Sequence, residues 1–173
     1  MKCESFPRPL VLIFMGVAGS GKTTVAGLFA KETGAAFYEG DDFHSPANIA
    51  KMRGGVPLID GDREQWLQRL REIITRSLAV NTFAVLTCSA LKAEYREFLR
   101  GGDPRVKFIH LTGARAVLEE RMKSRRGHFM PPGLLDSQLA TLEPPSDALT
   151  FSCEMPPEEI VAAVVRALGS VRR

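Results

Sequence analysis

The stretch "GVAGSGKT", residues 16–23, fits the pattern G-x-x-x-x-G-K-[ST]. An apolar run precedes it at residues 10–15 and a helical pattern follows, which is the strand–loop–helix setting that the pattern requires. In such a loop the glycines let backbone N–H groups curl around phosphate oxygens, and the start of the helix adds a positive dipole. The stretch therefore predicts a phosphate-binding loop in an α/β fold.

Two side chains at the end of this loop predict its cofactors. Lys22 reaches the outer phosphates of a nucleotide, and the hydroxyl of Thr23 binds Mg²⁺, so the pattern predicts ATP or GTP with Mg²⁺. The predicted nucleotide-binding residues of the loop are Gly16, Val17, Ala18, Gly19, Ser20, Gly21, Lys22, Thr23 and Thr24.

Two signatures are missing from the chain. There is no N-K-x-D guanine motif, which disfavours a GTPase switch. The apolar run at residues 83–88 leads into "SALK" and lacks the terminal aspartate that anchors the metal in mechanical ATPases. Any carboxylate that serves the metal must therefore come from another segment.

Composition predicts one globular domain, residues 1–173, long enough to bury a core. The net charge is only +3 and no run of five like charges occurs, so neither nucleic acid nor a membrane surface is an expected partner. No apolar stretch of about 20 residues is present to span a bilayer. Cys3, Cys88 and Cys153 are far apart and odd in number, which favours a reduced, intracellular compartment.

Apolar runs alternate with helical patterns along the chain. The runs lie at residues 10–15, 36–38, 83–88, 107–111 and 149–152. Residues 64–80 and 160–168 carry apolar side chains at the spacing of one helix face, and Asp62 with Gln65 resembles a capping box at the start of the first of these helices. Such alternation predicts a parallel sheet covered on both faces, with ligands bound beyond the carboxyl ends of its strands.

Two inserts interrupt the alternation, at residues 42–63 and 124–145. In the first, Ser45 and Pro46 predict a helix start, and the glycines at 54 and 55 predict its end. Long inserts at the ligand end of a sheet often form binding loops or lids. We expect the first insert to bind the acceptor, and the second to form a lid and the helix after it.

Four ionisable groups lie within "FYEGDDFH", residues 37–44. Because the strand at residues 36–38 follows the phosphate-loop helix directly, its end is expected beside the loop. Phosphoryl transfer to a hydroxyl needs a carboxylate that accepts or orients the proton, and Asp41 is the candidate. Glu39 or Asp42 would hold Mg²⁺ through water. The alternative is that these acids, Asp42 above all, cap the insert and face solvent.

Cationic residues cluster where they would overhang this end of the sheet. Those in the first insert and after the third strand are Lys51, Arg53, Arg63, Lys92 and Arg96. Each alone is typical of a solvated surface, but together they favour a small anionic acceptor. Arg121 lies on the inward side of its helix and Arg125 one turn further. We expect Arg121 to bind the nucleotide and Arg125 to stabilise the transferring phosphoryl group.

The histidines and Cys88 have less specific interpretations. His44 and His128 lie in the inserts and are candidates for the acceptor pocket, whereas His110 lies in a strand and is expected to be a satisfied core histidine. No histidine or cysteine pair has zinc-ligand spacing. Cys88 ends a strand, and a small buried residue is favoured there over a reactive thiol.

Four blocks together resemble one family closely. They are "MGVAGSGKTT", "GDDFHSPANIAKMRGGVPLIDGDREQWL", "CSALKAEYR" and "GHFMPPGLLDSQLATLEPP". In order and spacing, from about residue 10 to residue 145, they are similar to the gluconokinases, of the shikimate-kinase-like branch of phosphate-loop kinases. The chain departs from the family pattern at Ile59, where Asn is frequent, and at Leu139 and Ala140, where Phe-Glu is usual.

This resemblance implies a five-stranded parallel sheet with helices on both faces and a lid, similar to adenylate kinases. It implies ATP-dependent phosphorylation of D-gluconate at its 6-hydroxyl, giving 6-phosphogluconate, in a cytoplasmic and often homodimeric enzyme. Related shikimate kinases place an acceptor-side aspartate where this chain has Asp41. Two alternatives stay open: a kinase for another small acceptor, such as shikimate or a nucleotide, and a nucleotide-binding module without catalysis.

Overall fold

The computed structural model describes residues 10–124 and 132–169. Cys3, Arg125 and His128 lie outside these ranges, as do residues 125–131 of the second insert. No helix in the described ranges is long and apolar enough to cross a membrane.

Five strands form a single parallel sheet, as predicted. They are β1 (Val11–Met15), β2 (Ala36–Tyr38), β3 (Ala84–Thr87), β4 (Val106–Thr112) and β5 (Leu149–Ser152). Their order across the sheet is β2-β3-β1-β4-β5, and every neighbouring pair is parallel. The central strand β1 is buried at all its positions, which explains why it is a continuous apolar run rather than an alternating one.

Helices cover both faces of the sheet. They are α1 (Lys22–Thr33), α2 (Pro46–Arg53), α3 (Asp60–Ala79), α4 (Ala93–Arg100), α5 (Arg115–Ser124), α6 (Pro132–Thr141) and α7 (Pro157–Gly169), with a 3₁₀ helix at Gly40–Phe43. Alternate side chains of β1 point to opposite faces: Phe14 packs with α1 and α7, and Ile13 packs with α3 and α4. The result is the three-layer architecture expected from the sequence.

Two helix starts test the predicted boundaries. Ser45 caps α2, since its Oγ accepts a hydrogen bond from the Asn48 N–H at 3.2 Å, and Pro46 is the first helical residue, as predicted. The start of α3 was predicted wrongly. The helix begins at Asp60, and Asp62 lies in its first turn, where the carboxylate accepts the Ile59 N–H at 3.0 Å. Asp62 is therefore the third residue of the helix, whose side chain bonds back to the N–H of the capping residue, and not the capping residue itself.

The end of β2 approaches the phosphate loop, as predicted, but not as a direct neighbour of the phosphate-loop strand. β3 lies between β1 and β2, so the second strand does not flank the phosphate-loop strand. The 3₁₀ helix after β2 is instead docked on the carboxyl end of β3, where the Gly40 N–H donates to Thr87 Oγ1 at 2.9 Å. The acidic segment reaches the phosphate loop by crossing the end of an intervening strand.

Candidate active site

The phosphate loop adopts a conformation that depends on glycine. Gly16, Gly19 and Gly21 have φ values of 141°, 79° and 86°, in the region that L side chains avoid. A Cβ at Gly16 would lie 2.3 Å from the Leu111 carbonyl oxygen, and one at Gly19 would lie 2.8 Å from that of Leu118. The loop therefore packs directly on the backbones of β4 and α5.

Two groups of this loop have internal hydrogen-bond partners. Lys22 Nζ donates to the Val17 carbonyl oxygen at 3.0 Å. The Ala18 N–H donates to Gln138 Oε1 of α6 at 2.7 Å. Ser20 is buried, and its Oγ has no hydrogen-bond partner within the described part of the chain.

Glu39 carries its carboxylate to the end of β3, where the sequence lacks the usual aspartate. The Thr87 hydroxyl donates to Glu39 Oε1 and accepts the Gly40 N–H. Glu39 Oε2 is buried without a partner among the described residues. A carboxylate from a neighbouring strand thus stands where a metal-anchoring aspartate would otherwise end the strand.

Asp41, just before the first insert, lies beside His44, near the start of that insert. The carboxylate of Asp41 is 76 % exposed, whereas the imidazole of His44 is buried, with its Nε2 4.0 Å from Asp41 Oδ1. The His44 ring stacks on Trp66 of α3, whose indole N–H donates to the Gly40 carbonyl oxygen at 2.8 Å. Trp66 therefore contacts both ends of residues 40–44, which we call the acidic turn.

Burial sets the protonation of two groups at this end of the sheet. It lowers the pKa of His44, as does the charge of Arg63, although the carboxylate of Asp41 opposes both, so the ring is neutral at neutral pH. Burial also raises the pKa of the Cys88 thiol to about 12. The expectation that Cys88 is a small buried residue is confirmed.

One cleft brings the loop and the acidic turn together. Of the predicted site residues, it is lined by Ala18, Gly19, Gly21, Lys22, Thr23, Glu39, Asp41, His44 and Arg63. The remaining lining residues are Met52, Pro57, Leu58, Trp66, Ser89, Leu91, Met122, Leu134, Ser137, Gln138 and Thr141. The cleft thus joins a phosphate-binding wall to a second wall. That wall carries the carboxylates of Glu39 and Asp41 and, from the first insert, the imidazole of His44 and the guanidinium of Arg63.

The cationic side chains predicted to bind the acceptor differ in their surroundings. Arg63 lines the cleft with its side chain 17 % exposed, and its nearest carboxylate oxygen, Asp60 Oδ1, is 3.8 Å away. Lys51 Nζ and Lys92 Nζ lie outside the lining and are each 2.7 Å from a carboxylate oxygen, of Asp62 and Asp60 respectively. Arg53 is exposed on the last turn of α2.

Other predicted residues also lie outside the cleft lining. Asp42 is exposed, which agrees with the alternative hypothesis that this side chain faces solvent. Arg121 points inward from α5, as predicted, and its Nη2 donates to the Cys153 carbonyl oxygen at 2.6 Å. It also lies beside the phosphate loop, 3.7 Å from where a Cβ on Gly21 would be. Gly16, Val17, Ser20 and Thr24 belong to the loop and the first turn of α1 without lining the cleft.

His110 corrects one expectation. It is a buried strand residue, as predicted, but it is not satisfied: Nε2 has no partner in the described ranges. Burial and the charge of Arg96 lower the pKa of His110 and keep the ring neutral. Arg96 itself donates to the carbonyl oxygens of Ala90 and Leu91 and so holds the loop after β3.

Three site residues were missed by sequence reasoning. Thr87 is the last residue of β3, the strand at whose end a metal-binding aspartate was expected. Its position could therefore have marked it as a site residue, but a threonine there has no such meaning by itself. Trp66 was counted only as part of an apolar helix face. Gln138 lies within the "LLDSQLATLEPP" block, but a glutamine in a helical pattern is ordinarily solvated, and nothing local marks it as a partner of the loop.

The residues that line the cleft are suited to bind a Mg²⁺ ion that is coordinated by the nucleotide phosphates. Mg²⁺ is usually held by one or two protein oxygens together with substrate phosphates and water. The hydroxyl of Thr23 and the unpartnered, buried Glu39 Oε2 offer such oxygens at the cleft. In residues 10–124 and 132–169, no group of three or more His, Cys, Asp or Glu side chains could form a separate metal site.

Comparison with known proteins identifies relatives along nearly the whole chain. No family model matches it. The chain is 45 % identical over 162 residues to a gluconokinase from Gluconobacter oxydans, covering 92 % of this chain and 91 % of the relative. A solved gluconokinase from Sinorhizobium meliloti 1021 is 42 % identical with a TM-score of 0.83, over 94 % of this chain and 93 % of its own.

Further solved structures agree in fold. An unliganded sugar kinase from a Janibacter species is 46 % identical with a TM-score of 0.85, over 92 % of this chain and 94 % of its own. Shikimate kinase from Aquifex aeolicus, 19 % identical with a TM-score of 0.61 over 93 % of this chain and 97 % of its own, shares the fold alone. With this level of identity maintained across almost its entire length, the chain belongs to the gluconokinase family.

Proposed function

We propose that the protein transfers the γ-phosphoryl group of ATP to the 6-hydroxyl of D-gluconate, giving ADP and 6-phosphogluconate. The observation that carries this proposal is the exposed carboxylate of Asp41 in the same cleft as Lys22 and the phosphate loop. A carboxylate in that position can accept a hydroxyl proton while the loop holds the phosphates. Membership of the gluconokinase family supports gluconate over other acceptors.

The phosphate loop binds the nucleotide. Its N–H groups and the α1 dipole bind phosphate oxygens, and Lys22 leaves the Val17 carbonyl to reach the outer phosphates. We place Arg121 beside the nucleotide because it lies against the loop at Gly21. Arg125, outside the described residues, keeps its proposed role of stabilising charge on the transferring group.

Asp41 is the proposed base. The 6-hydroxyl oxygen attacks the γ-phosphorus, the bond from that phosphorus to the β–γ bridging oxygen breaks, and the hydroxyl proton passes to the Asp41 carboxylate. His44 Nε2 lies 4.0 Å from Asp41 Oδ1, and its neutral ring adds no competing positive charge. Trp66 fixes the plane of that ring by stacking.

Thr23 and Glu39 are the proposed holders of Mg²⁺, Thr23 through its hydroxyl and Glu39 through water. When bound, Mg²⁺ supplies charge that offsets the charge developing on the phosphate oxygens. The bond from the Thr87 hydroxyl fixes one oxygen of Glu39, which leaves Oε2 for a metal-bound water.

Arg63 is the cation that we assign to the carboxylate of gluconate. It lines the cleft, and at 3.8 Å its closest acidic contact is looser than the 2.7 Å ion pairs of Lys51 and Lys92. A guanidinium can also bind a carboxylate through two parallel hydrogen bonds. Arg53, Asp42 and His128 remain candidates for the outer part of the acceptor pocket.

We further propose that the enzyme is a cytoplasmic homodimer whose single domain comprises residues 1–173, with neither nucleic acid nor membrane as partner. The weak net charge of +3 supports the lack of a nucleic-acid or membrane partner, and the odd cysteine count supports a reduced compartment. The homodimer rests on the resemblance to the gluconokinases alone.

The test of function is a panel of acceptors with ATP and Mg²⁺. D-Gluconate, shikimate and nucleoside monophosphates are compared by ADP release, and ³¹P NMR identifies the phosphorylated product. We expect turnover with gluconate and a phosphomonoester at its 6-position. Turnover with shikimate or a nucleotide but not gluconate would disprove the substrate, and ATP binding without turnover on any acceptor would disprove catalysis.

A further inference from the structure

Asp60 and Arg63 lie three residues apart in the first turn of α3, yet they do not form a close ion pair. Arg63 Nη1 is 3.8 Å from Asp60 Oδ1. At the same spacing on α4, Arg100 Nη1 approaches Glu97 Oε1 to 3.0 Å. Side chains three residues apart are neighbours on a helix surface, so opposite charges at this spacing ordinarily attract. The longer distance at Arg63 therefore points to other contacts that hold Asp60.

Both carboxylate oxygens of Asp60 have partners from the segment that follows β3. The Tyr95 hydroxyl donates to Oδ1, the oxygen nearest Arg63, and Lys92 Nζ donates to Oδ2 at 2.7 Å. The bonds from Lys92 and Tyr95 lower the pKa of Asp60, so its carboxylate is ionised at neutral pH. Burial and the bond to Asp60 raise the pKa of Tyr95, so its hydroxyl keeps the proton that it donates. Asp60 is thus held from the side of α4.

The ring of Tyr95 also contacts the two cations at this corner of the cleft. Its centroid is 5.9 Å from Arg63 Cζ and 5.4 Å from Lys92 Nζ, within the range of a cation–π contact. Tyr95 is buried and belongs to the core cluster that includes Trp66 and Leu67 of α3. The packing of α4 on α3 therefore sets the position of this ring and of its hydroxyl.

The start of α4 is itself fixed by a buried guanidinium. Arg96, the residue after Tyr95, donates from Nη1 to the carbonyl oxygens of Ala90 and Leu91 at 2.9 and 3.1 Å. These two bonds tie the helix to the loop that joins it to β3. Tyr95 therefore reaches Asp60 from a firmly held element, whereas Asp60 is a largely exposed side chain that follows its partners.

We propose that Tyr95 is a positioning residue that keeps Arg63 available for the carboxylate of the acceptor. Its hydroxyl holds Asp60 Oδ1, so that Asp60 does not close on the guanidinium, while its ring contacts the guanidinium directly. Arg63 then presents its free donors to the cleft that it lines. The inference deepens the proposed function and rests on it, since it takes Arg63 as the group that binds gluconate.

A released Asp60 would compete with the acceptor carboxylate for the same guanidinium. The Asp60 side chain is 59 % exposed, so an ion pair that it forms is a surface pair. Pairs of that kind change equilibria by roughly 1.5- to fivefold. Loss of the Tyr95 hydroxyl should therefore weaken gluconate binding by a factor in this range. Transfer of the phosphoryl group, which depends on Asp41 and the phosphate loop, should be unaffected.

Tyr95→Phe tests this because it removes the hydroxyl and keeps the ring. With gluconate as acceptor, KM should rise roughly two- to fivefold while kcat stays within about twofold of wild type. In an Asp60→Asn background the same substitution should leave KM unchanged, since asparagine has no charge to attract Arg63. An unchanged KM for Tyr95→Phe alone, or an equal rise in both backgrounds, would overturn the positioning role. General damage to the fold would not be cancelled by Asp60→Asn.

Tyr38→Phe is the matched control. Tyr38 is the other tyrosine of the chain, packs against the same core cluster as Tyr95 and does not line the cleft. Loss of its hydroxyl should leave KM for gluconate within about 1.5-fold of wild type, as expected for a change away from the site. A rise equal to that of Tyr95→Phe would mean that the effect is not specific to the bond with Asp60, which also overturns the proposal.

A second measurement needs no acceptor. In NMR spectra the side-chain Nε–Hε signal of Arg63, assigned by its loss in Arg63→Met, should move in Tyr95→Phe. The same substitution should not move it in the Asp60→Asn background. A signal that does not move in Tyr95→Phe would overturn the proposal even if gluconate is phosphorylated. If gluconate is not the substrate, the signal should still move, so failure of the proposed function is distinguished from failure of this inference.

Discussion

The imidazole of His44 stacks on the indole of Trp66, with ring centroids 4.3 Å apart and planes inclined by 14°. His44 is only 7 % exposed, and Trp66 is the single tryptophan of the chain. The stacked pair joins the acidic turn, through His44, to α3, through Trp66. The fluorescence emission of Trp66 therefore reports on the acceptor side of the cleft.

This stacking leads to a spectroscopic prediction. Burial and Arg63 lower the pKa of His44 below its usual 6.5, so the ring becomes protonated only in acid. Because a protonated imidazole quenches indole emission, Trp66 fluorescence should fall with a midpoint below pH 6.5. Titration of native protein from pH 8 to pH 5 measures this, with His44→Gln as control. An unchanged titration in the control would assign the quenching to another group.

The same pKa shift predicts the pH dependence of stability. A histidine whose pKa is lowered on folding binds more protons when unfolded, so its contribution to the free energy of unfolding is complete above pH 6.5 and is lost as pH falls from 6.5 through the lowered pKa. His110 has the same sign. Urea unfolding at pH 7.5 and pH 5.5 should show wild type losing more stability than His44→Gln or His110→Gln. Equal losses in all three would contradict this.

Asp41→Asn should fold and bind ATP but lose turnover. Removal of a positioned base lowers kcat by roughly 10²- to 10⁴-fold. The exposure of the Asp41 carboxylate predicts little change in folding free energy. Steady-state kinetics with gluconate give kcat, and Asp103→Asn, at a surface pair with Arg105, is the matched control. A kcat within about threefold of wild type would remove Asp41 from the base role.

Arg63→Met should raise KM for gluconate more than it changes kcat. Loss of a charge-assisted bond worth about 1.5–3 kcal/mol corresponds to a KM increase of roughly 10- to 100-fold. Lys51→Met and Lys92→Met should have smaller effects, because both lysines are paired with aspartates outside the cleft. Arg76→Met, exposed further along α3, controls for lost charge. A larger KM effect at either lysine would transfer the assignment to that residue.

Thr87→Val should reduce both the stability of the protein and its apparent affinity for Mg²⁺. Valine keeps the shape but leaves the Gly40 N–H and the Glu39 carboxylate without their shared hydroxyl. An unsatisfied buried group costs about 1–3 kcal/mol in the free energy of unfolding. The Mg²⁺ concentration for half-maximal activity should also rise, since Glu39 is no longer held. Thr75→Val on the exposed face of α3 should alter neither quantity.

The parallel sheet and the phosphate loop could be predicted because their signals are local. Residues 10–23 contain the buried strand, the glycines and Lys22 in one continuous segment. The order of the strands is not local, since β2 follows α1 in the chain yet pairs with β3. The segment that carries Glu39 and Asp41 reaches the loop across the end of β3, where Gly40 bonds to Thr87. Sequence alone therefore identified Glu39 and Asp41 but not the contact that positions them.

The cationic residues could not be ranked from sequence for a related reason. Lys51, Arg63 and Lys92 are equivalent as charges, and only tertiary packing shows which of them has a close carboxylate. Asp60 and Asp62, two residues apart at the start of α3, pair with Lys92 and Lys51. The same holds for Gln138, whose partner lies on an element remote in sequence.

Gly40 allows the turn that carries Glu39 and Asp41 to lie directly against the end of β3. A Cβ at this position would lie 1.9 Å from the Thr87 carbonyl oxygen, closer than any side chain can approach. Even Gly40→Ala would lift the turn from β3 and displace both Glu39 and Asp41 from the end of that strand. Directed evolution of a new acceptor preference will therefore have to leave this position untouched and vary the first insert around it.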